Sequence, residues 1–139
     1  MDEPIADILR GVLDGHIILD REIAERGRYP AIDVLKSVSR SLPAAATENE
    51  NALIAAAKRH LAIYAQNAMM VQAGLYSAGS DPGVDTAIQV WPDLDGFLSK
   101  SENQSVANSF TQLELVLRRN SALDRTNAGV SPNRSGNAA

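Results

Sequence analysis

The residues whose types could do chemistry are few and mostly isolated. The segment "GRYPAIDVLKSVSRSLP", residues 27–43, sets a tyrosine beside a proline, Tyr29 and Pro30, and a lone arginine, Arg40, inside a serine-rich run. A guanidinium is planar and always charged, so it can meet a phosphate or a carboxylate through two parallel hydrogen bonds. By residue type alone, a local salt bridge or a loop cap is the simpler role for Arg40. For Tyr29 the simpler role is half-buried packing beside Pro30. His16 and His60 have no second ligand at metal spacing, and a chain without cysteine cannot form the common structural zinc sites. His16, next to an apolar run, is expected to be a satisfied buried histidine. His60 follows Lys58 and Arg59 and is expected to face solvent. The glycine spacing from Gly74 to Gly79 is followed by Ser80 and Asp81, without the lysine that a phosphate-binding loop requires. No serine stands in a recognisable arrangement with a histidine and a carboxylate. The residues alone give no self-sufficient active site.

The elements that must position Tyr29 and Arg40 begin with "DEPIADILRGVLDG". Pro4 at the first turn and the acids Asp2, Glu3 and Asp7 suit the positive end of a helix dipole. Ile5, Ile8, Leu9, Val12 and Leu13 recur at i, i+3, i+4, i+7 and i+8, one buried face, with Gly15 as its stop. "HIILD" then reads as a short strand buried on both sides, and Asp20 as the cap of a brief helix closed by Gly27. A long irregular connection follows, and connections of that length tend to be functional. A strand buried on both faces needs neighbours, and only the stretch around Ile32 to Val34 offers one. Met1 before "DEP" reads as a start added at a chosen boundary, so the chain is expected to be a fragment of a longer protein.

The second half changes character. Thr47 and Glu50 form a capping box ahead of a long helix whose stripe is Leu53, Ile54, Ala57, Leu61, Ala65, Ala68 and Met69 or Gln72. Met69 and Met70 are expected as core or near-core filler. Asp81 and Pro82 open a short helix through Val84, Ala87, Ile88 and Trp91 that Pro92 should break, with Leu94, Phe97 and Leu98 on a second piece. Ser101 and Gln104 read as another capping box. The last helix presents Val106, Phe110, Leu113 and Leu117, and the chain after Arg119 reads as a disordered tail over 120–139. The fold class expected is mainly α. Residues 1–43 would be the trailing edge of an α/β domain, with one helix and one or two strands, and 44–119 a helical bundle.

Of 139 residues 45% are apolar but only 4% aromatic, which favours helix over sheet. A net charge of −4 argues against a nucleic-acid partner, and no apolar run is long enough to span a bilayer. The absence of cysteine permits a reducing cytosolic setting.

Three pieces, "LDGHIILDREIAERG", "YPAIDVLKSVSR" and "AGSDPGVDTAI" leading to "FLSK", occur in that order between about residues 2 and 100. Together they resemble the C-terminal part of the flagellum-specific and type III secretion ATPases, homologues of the catalytic subunits of rotary ATP synthases. The resemblance implies the end of a P-loop nucleotide-binding domain followed by a C-terminal helical domain, in a parent that assembles as a hexamer. It implies that Arg40 is an arginine finger acting on the neighbouring subunit's site and that Tyr29 stacks on adenine in its own. Phe97 is a weaker candidate for closing the other side of the adenine pocket, and a core role suits it better. ATP and magnesium would serve the parent protein, a hydrolase that energises export. The phosphate-binding loop and the acids that hold magnesium and activate water would precede residue 1, so this chain alone is expected to be inactive and to bind no cofactor. Export chaperones, substrates and apparatus proteins are the implied partners, at a cytoplasmic location peripheral to the export apparatus. Two other readings stay open: a stand-alone helical adaptor, and the equivalent region of a rotary ATP synthase subunit.

Overall fold

The structure, a computed structural model, describes residues 4–128, with side chains to residue 121. The acids Asp2 and Glu3 lie outside the described residues. Five helices and two short strands follow in chain order: α1 (Pro4–Val12), β1 (Gly15–His16), α2 (Arg21–Glu25), β2 (Val38–Ser39), α3 (Glu48–Gln72), α4 (Pro82–Ser99) and α5 (Val106–Ala128). The fold is mostly helical, as the composition favours, with a small two-stranded sheet.

The helix starts follow their capping residues. Thr47 Oγ1 accepts from Glu50 N–H at 3.2 Å, and Glu50 Oε2 accepts from Thr47 N–H at 2.9 Å, which completes the capping box of α3. Asp81 Oδ1 accepts from the N–H groups of Gly83 and Val84, and Pro82 opens α4. The start of α5 differs from the expected Ser101–Gln104 box. There Ser105 Oγ accepts from Asn108 N–H at 3.1 Å, and Val106 is the first helical residue. Glu102 draws the preceding turn in, accepting from Gln104 N–H and from the side-chain amides of Asn108 and Gln112.

Helices α3, α4 and α5 pack mutually as a bundle around Ala57, Val90, Leu94 and Leu113, with Leu53, Leu61, Phe97, Val116 and Leu117 against that cluster. Pro92 does not break α4, which runs through it to Ser99. An interior proline costs about 3 kcal/mol. Val90 and Leu94, two residues to either side, are each only 1% exposed. Full burial of two such side chains returns about 3–6 kcal/mol. Packing therefore outweighs the missing hydrogen bond.

Several apolar expectations fail by exposure. Met69 is 83% exposed and Met70 48%, so neither is core filler, and Val106 stands in solvent at the start of α5. The apolar face of α1 is likewise open, with Ile5, Ile8, Leu9, Val12 and Leu13 all between 49% and 75% exposed. Ile17 and Leu19 of the "HIILD" run are exposed too. No element of the described chain covers these side chains. Helix α5 also passes the expected end at Arg119 and continues to Ala128, correcting the tail boundary at residue 120. Polar anchors carry it: Asn120, 2% exposed, donates to Asp93 Oδ2 and to Val116 O, and Arg119 donates to both Asp93 oxygens at 3.1 Å. Residues 129–139 of that expected tail lie outside the described residues.

Leu94→Ala should lower the unfolding free energy by about 2–5 kcal/mol. Met69→Ala should change it by less than ~0.5 kcal/mol. Urea unfolding followed by circular dichroism checks both, and a large loss at Met69 would contradict its exposed placement.

Candidate functional site

The irregular segment between α2 and α3 is built from side-chain anchors rather than from a continuous ladder. Asp20 caps α2, accepting from Glu22 N–H at 2.8 Å and Ile23 N–H at 3.3 Å. Chiefly the Ile23 N–H, then that of Glu22 and the Lys36 ammonium, hold its carboxyl below the usual aspartate value. Lys36 Nζ lies 3.6 Å from Asp20 and 3.7 Å from Asp33. Asp33 Oδ1 accepts from the N–H groups of Leu35 and Lys36, the side-chain turn that aspartate favours. Ser37 Oγ accepts from Ile18 N–H and donates to Asp33 O. The main chain adds Asp20 N–H to Ala31 O and Asp33 N–H to Ile18 O, around an isolated bridge between Leu19 and Ile32. The partner strand anticipated near Ile32 is therefore this bridge, and the true ladder lies further on, with Gly15 opposite Ser39 and His16 opposite Val38 in antiparallel register.

Gly15 belongs to that ladder and does not end α1. A Cβ at residue 15 would sit 2.6 Å from Val38 O, so only glycine lets β1 and β2 come this close. The ladder delivers Arg40 to the end of α1. Arg40 N–H donates to Asp14 O at 2.6 Å. Its guanidinium donates to Arg10 O at 3.1 Å and Gly11 O at 3.2 Å. These carbonyls belong to the last turn of α1, where helix carbonyls lack intrahelical donors and the dipole favours a cation. Arg40 is exposed, and among the described residues no carboxylate lies within ion-pair distance of it.

Tyr29 is 63% exposed. Its neighbour Arg28 is the reverse, buried to 8% exposure. Arg28 donates from Nη1 to Pro30 O at 3.1 Å and from Nη2 to Ile32 O at 3.0 Å. Its Nε lies 3.1 Å from Asp95 Oδ1 of α4, off-line for a hydrogen bond, so this contact is an ion pair. Arg26 reaches the same carboxylate at 3.4 Å and lies 5.3 Å from the ring centre of Trp91, which stacks on Tyr64 at 4.5 Å. Nothing in the sequence pattern pointed to Arg28 or Asp95, because a pair that distant leaves no periodic trace.

Phe97 packs against the bundle core and lines the open groove of about 860 Å³ between α4 and α5, with Pro92, Gly96 and Leu115. It also borders a small apolar cavity with Val34 and Leu61. Tyr29 lines neither of these cavities. His60 is half-buried, not solvent-facing; its Nδ1 is enclosed without a partner, and burial, then Arg59, pushes its pKa down. Among the described residues no three His, Asp or Glu side chains gather as a metal site.

Residues 46–115 match the family described as the T3SS EscN ATPase C-terminal domain, and residues 1–39 match the nucleotide-binding domain of the ATP synthase alpha/beta family. The chain belongs to the flagellum-specific and type III secretion ATPases. It is 44% identical over 119 residues to the flagellum-specific ATP synthase of Caulobacter vibrioides, an alignment covering 84% of this chain and 27% of that one. It is 43% identical over 104 residues to the SPI-2 type 3 secretion system ATPase of Salmonella typhimurium, covering 75% and 24%. Among solved structures, the assembled ATPase EscN of enteropathogenic E. coli superimposes with a TM-score of 0.78 at 33% identity, covering 84% of this chain and 29% of that one. The ATP synthase subunit NeqB of Nanoarcheaum equitans shares the fold alone, at 17% identity and a TM-score of 0.66. The chain thus spans about a quarter of the length of the curated relatives it matches. No helix among the described residues is long and apolar enough to cross a membrane.

His60 yields a pH prediction. Its folded pKa lies below the ordinary histidine value of 6.5, so below that pH the unfolded chain binds more protons. Stability should therefore fall as pH drops from 6.5 toward the folded pKa, and should be free of this loss above 6.5. His60→Leu should lessen the difference between urea midpoints measured at pH 7.5 and pH 5.5. An unchanged difference would remove His60 as its source.

Proposed function

We propose that this chain is the C-terminal part of a hexameric ATPase that energises flagellar or related type III protein export. It would give the ring's nucleotide sites an arginine and an aromatic face. The observation that carries the reading is the state of Arg40: oriented by two main-chain carbonyls, exposed, and without a carboxylate among the described residues to neutralise it. A guanidinium so held fits an incoming phosphate.

ATP is the substrate, and its γ-phosphoryl group gathers charge on its oxygens as transfer proceeds. Arg40 would meet those oxygens in the neighbouring subunit's site and stabilise that charge. Fingers of this kind are worth about 10³- to 10⁵-fold in rate, or about 4–7 kcal/mol of barrier. Tyr29, with its ring exposed, would lie against adenine in its own subunit's site, a contact worth on the order of 1–3 kcal/mol. Phe97, in the bundle core, is the weaker candidate for the far wall of that pocket. Magnesium would be held outside the described residues. The chain has no phosphate-binding loop in its sequence, so alone it should not hydrolyse ATP. The open apolar face of α1 would pack against further parts of the nucleotide-binding domain. The helical bundle would face export chaperones, substrates and apparatus proteins, at a cytoplasmic site peripheral to the export machinery. The match of residues 46–115 to the EscN-type domain favours the export branch over a rotary synthase.

In the full-length ATPase, Arg40→Ala should cut turnover at saturating ATP by at least about a thousandfold. Rings that mix this variant with subunits lacking a working phosphate-binding loop should regain part of the activity, because a finger acts across the interface. Turnover within a few-fold of normal for Arg40→Ala, or no recovery in mixed rings, would reject the assignment.

A further inference from the structure

The loop that carries Tyr29 is held from outside its own domain. Arg28 precedes Tyr29, and its two terminal nitrogens grip the carbonyls of Pro30 and Ile32 at 3.1 and 3.0 Å. These contacts bracket the Tyr29–Pro30 step. What holds the guanidinium is Asp95, one helical turn beyond Trp91 on α4, with one oxygen toward Arg28 and the other toward Arg26. Trp91 in turn stacks on Tyr64 of α3, so Asp95 stands on a firmly packed part of the bundle. We propose that Asp95 is a positioning residue for nucleotide binding: through Arg28 it fixes where Tyr29 presents its ring. The proposal rests on the reading that Tyr29 stacks on adenine.

The physical reason is the cost of an unpaired buried cation. Without the Asp95 carboxylate, Arg28 would remain desolvated with only main-chain oxygens around it. Its favourable response is to swing out to water, and both carbonyl contacts go with it. Arg40 would be spared, because its anchors are Arg10 O, Gly11 O and Asp14 O, none of which involves α4. Loss of Asp95 should therefore fall on the binding of ATP and leave the chemical step alone. The same route would let a load on α4 from a partner of the bundle alter nucleotide affinity.

In the full-length ATPase, Asp95→Ala should raise KM for ATP about five- to thirtyfold while kcat stays within about twofold. Asp95→Glu should recover most of the loss. Arg28→Lys, which keeps the charge but loses the fork, should also raise KM, and it serves if Asp95→Ala does not fold. Tyr29→Ala should raise KM similarly, and the Tyr29→Ala, Asp95→Ala double variant should be no worse than either alone. Asp93→Ala removes the contacts to Arg119 and Asn120 on the same helix, and should lower Tm without moving KM. If Tyr29→Ala raises KM but neither Asp95→Ala nor Arg28→Lys does, the positioning role falls and stacking stands. If Tyr29→Ala leaves KM unchanged, the stacking reading fails and the proposal with it. Additive effects in the double variant, or an equal rise in Asp93→Ala, would reduce Asp95 to general stability and overturn the proposal.

Discussion

A buried guanidinium has to be satisfied from every side, and Arg28 draws its partners from two parts of the chain. Its terminal nitrogens face the loop that follows α2, and its Nε faces α4. Lysine could not replace it, because a single ammonium has no planar fork to reach two carbonyls and a carboxylate in different directions. Removing one partner from such a pair is far more damaging than the pair's own net worth, since the remaining charge is left without water. This joint ties the segment that follows α2 to α4, and Asn51 of α3 adds a second tie by donating to Pro43 O at 2.9 Å. The α3–α4–α5 core gives it a rigid base, and the cation–π contact of Arg26 with Trp91 reinforces it.

On the other side of the joint, the structure is economical in apolar burial. The helix–strand portion contributes no residue to the buried apolar core, and α1 has no buried residue at all. Its order comes instead from directional contacts: Asp20 on α2, Asp33 on its turn, Ser37 between Ile18 and Asp33, and Arg40 on α1. Single hydrogen bonds contribute about 0.5–1.5 kcal/mol each, and less where solvent competes. This portion is therefore specified in geometry but weakly stabilised by its own packing. The match of residues 1–39 to a nucleotide-binding domain agrees with a segment whose apolar face is made for neighbours.

Most of what could be read in the sequence was local chemistry, although the equally local Ser101–Gln104 box gave way to Ser105. The Thr47–Glu50 box, the Asp81–Pro82 start and the Asp20 cap each depend on residues within three or four positions, and each stands as read. The family was legible because its motifs run in order along most of the chain. Helix ends set by distant packing were not legible. Pro92 predicts a break, but Val90 and Leu94 are buried on both sides of it; Arg119 looked terminal, but Asp93 holds it and Asn120 from a neighbouring helix. Periodicity also misled at α1 and at Met69, since it reports which side chains could be buried and not whether anything covers them. Of the site, Tyr29 and Arg40 were singled out by the motif that holds them, whereas Arg28 and Asp95 became visible only once the chain was folded.

The contrast between Lys36 and Arg40 bears most directly on what the loop is for. Lys36 lies between the carboxylates of Asp20 and Asp33, so its charge is spent on holding the turn. Arg40, four residues later, is given acceptors that orient it without cancelling it. Two carbonyl dipoles at a helix C-terminus carry only partial negative charge, so most of the guanidinium's field remains directed outward. A carboxylate in their place would fix the side chain as well, but it would compete with any phosphate that approached. The proposed finger role would need both orientation and residual charge, and main-chain carbonyls supply the first without consuming the second. The same carbonyls keep the side chain from collapsing onto its own loop, and under the proposed role this pre-ordering would reduce the cost of meeting a phosphate.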